Sequence, residues 1–262
     1  MFDSLGTFVP TKDLKVFSYP SSGFYKYTIQ DPSDSIYRLS RYMKFSKESL
    51  TDYIHKIYTS IQSDLVFSSL LKGPWLPFVM PQSVNNDIGS RLEQELLPVL
   101  HQSFTSLYPA QHFKAVIQDN IQLAGRLLPR IKTCYQKFVA SNQDSTLVGI
   151  YFPNCFNQYS VSSQISAFTR LPNLPTHLNS CLSGPLEIAS SLIGAPNFLI
   201  HSDSYSPVLI ASGSQHSDER LVPCFKSYGQ HLEFWVLTNK LTLNVEQLSE
   251  QWTGGLSLYM QI

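Results

Sequence analysis

Hydrophobic positions in the first half of the chain follow a helical pattern in two places. In the first, apolar residues recur every three or four positions: Leu50, Ile54, Ile57 and Ile61. This spacing predicts an amphipathic helix over residues 47–63, with Ser46 as its N-cap. A second helix is predicted to begin at about Ile88, after a run of capping residues, with a kink at Pro98 because proline cannot donate the helical hydrogen bond. Residues 33–110 are therefore predicted to be mostly helical.

Short apolar runs of strand length dominate the second half and alternate with helical patterns. The predicted strands are 113–117, 147–152, 178–182, 207–211, 231–238 and 256–260, and an earlier strand is predicted at 24–29 from its alternating pattern. The predicted helices between them are 130–140, 161–168, 185–193, 219–228 and 244–253.

Alternation of this kind favours an α/β fold. We expect a mostly parallel sheet covered by helices on both faces, with a helical segment near the N-terminus. Residues 1–111 would hold N-terminal strands and the helical segment, and residues 112–262 the α/β sheet domain. One continuous domain is the alternative at this length.

The charge balance of the chain argues against polyanionic partners. Its 262 residues include 19 basic and 19 acidic side chains, so the formal net charge is zero. Charged residues make up 15% of the sequence, below the roughly 25% of an average soluble protein. Such a surface provides no long-range attraction to nucleic acid, and we expect no nucleic-acid partner. Neutral polar and aromatic side chains must cover it instead, which suits adhesion to other proteins.

Four cysteines bear on the compartment: Cys134, Cys155, Cys181 and Cys224. They form no C-x-x-C pair, so they fit neither a zinc ribbon nor a dense disulfide scaffold, and we interpret them as reduced thiols in a cytoplasmic protein. The first residues lack the basic and apolar regions of a secretory signal. No apolar stretch reaches the roughly 18 residues of a transmembrane helix. Peripheral association with a membrane complex remains compatible with this pattern.

Familiar catalytic and cofactor signatures are missing from the sequence. It contains no P-loop, G-x-G-x-x-G, H-E-x-x-H or G-x-S-x-G pattern, so we expect no cofactor and favour a non-enzymatic role. A nucleophile at a strand-to-helix turn is a weaker option, as Cys181 or Ser183 just before Gly184-Pro185. No particular histidine is tied to that turn by spacing.

A repeated tripeptide is the sharpest local signal for chemistry. His201-Ser202-Asp203 and His216-Ser217-Asp218 each follow an apolar run, where α/β folds place ligands. Two imidazoles and two carboxylates suit a divalent metal site made of His201, Asp203, His216 and Asp218, or a histidine base oriented by an aspartate. The alternative interpretation is that Ser, Asp and His form ordinary turns there.

An apolar connector is the candidate surface for protein binding. Residues 73–81 hold three prolines, which exclude a regular helix or a central strand. Its candidate contact residues are Trp75, Leu76, Pro77, Phe78 and Met80. Aromatic residues and methionine are enriched at protein interfaces, but the same residues would also suit the core.

Together these features favour a non-catalytic protein–protein interaction component. The expected role is an adaptor or accessory subunit of a larger bacterial assembly, with secretion as one setting and other protein subunits as partners. The alternative is a hydrolase or transferase that uses the polar loops of residues 201–218, in which case its two His–Asp pairs should converge in one pocket. A third class, small-ligand binding without turnover, would need an apolar pocket with few titratable groups.

Overall fold

A computed structural model describes residues 1–17, 26–117, 122–219, 221–236 and 251–262. The α-helices in these ranges are α1 (Pro32–Tyr42), α2 (Lys47–Ser63), α3 (Ile88–Arg91), α4 (Leu97–Leu107), α5 (Tyr135–Asp144), α6 (Val161–Phe168) and α7 (Pro185–Gly194). A 3₁₀ helix covers Phe67–Lys72, and a π-helical segment, Leu92–Leu96, joins α3 to α4. Among the helices described, none has the length and apolar character needed to cross a membrane.

The two N-terminal helical predictions are confirmed, and a π-helical segment lies just ahead of Pro98, where a kink was predicted. Helix α2 has the predicted bounds and its Ser46 cap, and α3 begins where expected with Asp87 as its cap. Ahead of Pro98, the backbone N–H of Leu97 donates to the carbonyl of Leu92, five residues earlier. One wider turn therefore precedes the proline, which has no N–H of its own to donate.

The described residues contain ten strands. They are β1 (Leu76–Met80), β2 (Phe113–Ile117), β3 (Leu127–Pro129), β4 (Leu147–Asn157), β5 (Asn179–Leu182), β6 (Val208–Ile210), β7 (Ser214–His216), β8 (Cys224–Tyr228), β9 (His231–Val236) and β10 (Trp252–Gln261). The main sheet has the order β1-β4-β10-β6-β8-β9-β2, with β5 also paired to β10, and β3 pairs with β7 separately. The large sheet curls into a half-barrel.

The predicted mostly parallel sheet, covered by helices on both faces, is wrong. Within the main sheet the described strands make five antiparallel pairs and two parallel ones, β10 with β6 and β2 with β9. The continuous apolar run of β4 suggested a parallel strand. However, β4 lies between β1 and β10, antiparallel to both, and is buried along most of its length. Burial on both faces makes a strand apolar whatever its direction.

A serine of helix α7 pairs with the free backbone groups of the edge strand β1. The Ser190 hydroxyl donates to the carbonyl oxygen of Val79 at 2.7 Å, and the Val79 N–H donates back to that hydroxyl at 3.2 Å. Both groups of Val79 would otherwise be left unpaired on the outer side of the strand. All ten residues of α7 are buried, so this helix is a central element of the core.

Three other predicted elements differ from the structure. The predicted helix at 219–228 is wrong, because Cys224–Tyr228 is strand β8. A two-residue turn pairs this strand with β9, and Pro223 has no N–H to donate to a helical hydrogen bond. The helix at 130–140 begins later, since Lys132 and Cys134 take left-handed backbone angles. The strand at 24–29 is not formed by residues 26–29, and positions 24 and 25 lie outside the described residues.

The predicted helix at 244–253 falls mostly outside the described residues. Its last positions, from Trp252, belong to strand β10. The other predicted strands and helices are present, with shifts at their ends. Segments 1–111 and 112–262 share the main sheet through β1 and β4, and they contribute to one hydrophobic core that runs from Phe8 to Tyr259.

Candidate functional site

A polar cleft lies beside the loop after Ile200 and the tip of the β8–β9 hairpin. Its volume is about 590 Å³. The residues that line it are His201, Ser202, Asp203, Ser204, Tyr205, Ser227, Tyr228 and Gly229. Tyr205 and Tyr228 are 70% and 71% exposed, unusually high fractions for two large aromatic side chains in one cleft.

The hairpin places Tyr228 at the cleft by local sequence. Tyr228 pairs with His231, so Gly229 and Gln230 form a two-residue turn. Gly229 has φ +59°, the left-handed angle that this kind of hairpin turn requires and that glycine adopts without strain. Further from the tip, the Lys226 ammonium lies over the Trp235 ring, 3.2 Å from its centroid. This cross-strand contact fixes the register and with it the position of Tyr228.

The opposite wall is a loop held by hydrogen bonds on two sides. The Thr28 hydroxyl donates to the carbonyl of Ile200 at 2.9 Å, and the Thr28 N–H donates to that of Phe198 at 3.0 Å. On the other side, the hydroxyls of Ser206 and Ser227 lie 2.7 Å apart and join the loop to the hairpin. The cleft is therefore preformed, although most of its wall is a loop.

The two predicted His–Asp pairs occupy different places. His201 and Asp203 line the cleft, and the His201 ring lies 3.4 Å from the Thr28 hydroxyl. His216 is buried on β7, where its Nδ1 accepts the Asp218 N–H at 3.0 Å, and burial lowers its pKa. Nowhere in the described ranges do three His, Cys, Asp or Glu side chains lie close enough to hold a metal ion. The structure does not assemble the proposed metal site.

The apolar connector is part of the core. Five of its residues form strand β1 (Leu76–Met80) and are all buried, and they include Leu76, Pro77, Phe78 and Met80. Trp75 is partly buried and its ring lies 5.6 Å from that of Tyr58. The proposed docking residues thus contact their own chain, and only Trp75 retains appreciable exposure in this fold.

The candidate nucleophiles at the strand-to-helix turn are sealed in the interior. Cys181 and Ser183 are fully buried. Glu187 Oε1 accepts the Gly184 N–H at 2.7 Å and lies 3.7 Å from the Cys181 sulfur. Burial, with a further contribution from the Glu187 carboxyl, raises the pKa of the Cys181 thiol well above its usual range. A buried, protonated thiol is not a nucleophile, so this cluster is a helix cap.

No protein-family model matches the chain, and comparisons with curated proteins and with solved structures find no significant match. Its function must therefore be argued from the site itself.

The sequence prediction included His201 and Asp203 of the cleft but neither of its two tyrosines. His201 and Asp203 were identified as a polar loop, but the tyrosines were not. Tyr205 comes shortly before Pro207, and Tyr228 directly precedes Gly229. Residues beside such turn formers lie at the surface, which is the signal that could have identified both tyrosines. The incorrect helix at 219–228 concealed the second of them.

Proposed function

We propose that this chain is a non-catalytic protein–protein interaction component and that the cleft beside the β8–β9 hairpin is its contact surface. The observation that carries the proposal is the pair of exposed tyrosines, Tyr205 and Tyr228, in a cleft whose walls are held by hydrogen bonds. The proposed role is an adaptor or accessory subunit of a larger bacterial assembly, with a secretion system as one setting.

The composition of the cleft fits protein recognition. Tyrosine offers a large amphipathic contact area and loses little conformational entropy on binding, while serine and glycine supply adaptable hydrogen bonds. Tyrosine is also enriched among residues that dominate binding energy. Among the described residues that line the cleft, Asp203 is the one carboxylate and His201 the one imidazole. The proposed occupant is therefore a segment of a partner protein with neutral side chains, bound partly through its backbone.

The alternative enzymatic role has less support. A hydrolase or transferase would need the polar loops of residues 201–218 to act together, but the cleft contains His201 and not the buried His216. The Thr28 hydroxyl, rather than a carboxylate, lies next to the His201 ring. Binding without turnover is the function that this geometry favours.

The proposed compartment is the cytoplasm. All four cysteines are free thiols, and three of them are buried. This state is stable in a reducing environment, which supports the proposal.

The experiment compares three forms of the full chain, each tagged and purified from the native host after crosslinking. They are the unaltered protein, the double variant Tyr205→Ser with Tyr228→Ser, and the control Tyr37→Ser. Tyr37 is 52% exposed on α1 and does not line the cleft. We expect a stoichiometric partner with the unaltered protein and with the control, and its loss in the double variant. The same partner yield from all three forms, or no partner from any of them, would reject the proposal.

A further inference from the structure

A second cavity, distinct from the cleft, is lined by a buried arginine that, among the described residues, has unpaired N–H donors. This cavity has a volume of about 470 Å³, within the range of small-molecule pockets. It lies between the end of α1, the segment after β1, and the π-helical segment. Arg91 lines it and is only 1% exposed.

Neighbouring groups hold the guanidinium of Arg91 without satisfying it. Its Nη2 donates to Asn142 Oδ1 at 2.6 Å. The orientation of Asn142 is fixed, because its amide nitrogen donates to the carbonyl of Met80 at 2.9 Å. Within the part of the chain that the structure describes, Nε and Nη1 of Arg91 have no hydrogen-bond partner. A guanidinium has five N–H donors, and leaving buried ones unpaired is costly.

The charge of Arg91 is paired with one partly exposed carboxylate. Glu95 Oε2 forms an ion pair with Nε at 3.6 Å, a separation too long for a hydrogen bond, and the Glu95 side chain is 44% exposed. Burial lowers the pKa of Arg91, and the Glu95 carboxylate opposes that shift. Lys44 is exposed and also lines the cavity, so the charged lining residues Arg91, Lys44 and Glu95 sum to one net positive charge. An anionic group that reached Arg91 would supply acceptors for the N–H donors that Asn142 and Glu95 leave unpaired.

The remaining walls are largely apolar. They include Met43, Met80, Leu96 and Val99. Glu95 and Leu96 belong to the π-helical segment, and such turns inside helices often occur at functional sites. A ligand for this cavity needs an anionic head that matches a guanidinium and an apolar body that covers the methionines and leucine.

We infer that this cavity is a binding site for a monocarboxylate with a compact apolar body, whose head pairs with the buried guanidinium of Arg91. The planar fork of a guanidinium fits two carboxylate oxygens, and a single net positive charge favours one negative charge over two. Glu95 competes for the same guanidinium and swings toward solvent when the ligand binds.

The test uses octanoate as the probe and methionine methyl signals in NMR as the readout. The chain has four methionines, of which Met43 and Met80 line the cavity, whereas Met1 and Met260 do not. We expect octanoate to shift the methyl signals of Met43 and Met80 saturably, with those of Met1 and Met260 unchanged. Octanamide, which has the same chain and no charge, and inorganic phosphate should leave all four signals in place.

Two variants should change the affinity for octanoate in opposite directions. Arg91→Leu should weaken octanoate binding by about tenfold or more, because it removes the charge-assisted pairing. Glu95→Gln should strengthen it by roughly threefold, because it removes an exposed competitor. If Arg91→Leu does not fold, Glu95→Gln carries the test alone. The inference would be overturned by equal shifts with octanamide or phosphate, by shifts spread over all four methionines, or by no shift at all. It would also be overturned by unchanged octanoate affinity in a folded Arg91→Leu protein or in Glu95→Gln.

Discussion

The buried carboxyl group of Glu187 gives the fold a pH-dependent stability that one substitution should remove. Three groups surround its Oε1: the Gly184 N–H at 2.7 Å, the Ser257 hydroxyl at 3.3 Å and the Cys181 thiol at 3.7 Å. Its Oε2 contacts the Tyr135 hydroxyl at 3.0 Å. Burial raises the pKa of Glu187 to about 7, although these hydrogen bonds oppose the shift.

The size of this effect on the free energy of unfolding follows from the pKa values of Glu187 in the folded and unfolded chains. An ordinary glutamate has a pKa of 4.5, so folding raises the pKa of Glu187 by about 2.5. At about 1.4 kcal/mol for each pKa unit, the effect is roughly 3 kcal/mol. Because the folded chain binds this proton more tightly than the unfolded chain does, the free energy of unfolding falls as pH rises from 4.5 to 7. Above pH 7 both states are ionised and the contribution levels off.

The substitution Glu187→Gln keeps the size of the side chain and a neutral head. It resembles the protonated form, so its stability should not follow this profile. Urea unfolding of both proteins, monitored by tryptophan fluorescence at pH 5, 6, 7 and 8, measures the difference. We expect the variant to gain about 2–3 kcal/mol relative to the unaltered protein between pH 5 and 8.

The control is Glu48→Gln on the surface. Hydrogen bonds from its own backbone N–H and from Ser46 lower the pKa of Glu48, so its contribution to stability is complete above pH 4.5. The Glu48→Gln protein should therefore differ from the unaltered one by a constant amount between pH 5 and 8. Parallel stability profiles for Glu187→Gln and the unaltered protein would refute the reasoning about Glu187.

Two further predictions concern the core and the hairpin. Ser190→Ala should lower the free energy of unfolding by about 1–3 kcal/mol, because both backbone groups of Val79 lose their hydrogen-bond partner. The control Ser191→Ala should be nearly neutral, since the Ser191 hydroxyl is buried without a partner among the described residues. Equal losses in urea unfolding would contradict this. Gly229→Ala should lower the free energy of unfolding by about 1 kcal/mol in the same assay. Gly229→Asn should lower it less, because asparagine tolerates the left-handed backbone angle. Equal losses for the two variants would show that the turn conformation does not determine stability.

Local signals explain what the sequence predicted well. Helix α2 is confirmed in its bounds and its cap because both depend on residues within one segment, from Ser46 to Ser63. Strand direction depends on partners far apart in the chain. The apolar run of β4 indicates burial, but nothing in it specifies antiparallel pairing with β10, about a hundred residues later. The mostly parallel prediction failed at that step.

The candidate sites were predictable to different degrees. His201 and Asp203 follow an apolar run, which predicted a polar loop there, and both line the cleft. Arg91 comes three residues after Ile88, on the apolar stripe of its helix, so its burial could have been predicted from spacing. The cavity beside it depends on the segment after β1 and the end of α1, which only the tertiary structure brings together.

Site-specific photocrosslinking tests the proposed contact surface most directly. A benzophenone amino acid is placed at Tyr228 in one protein and at Tyr37 in another, and both are irradiated in living cells of the native host. The account predicts a discrete adduct of defined mass from position 228, with one partner protein identified in it, and no such adduct from position 37. Irradiation that leaves the position 228 protein uncrosslinked, or that gives the same adducts from both positions, would contradict it.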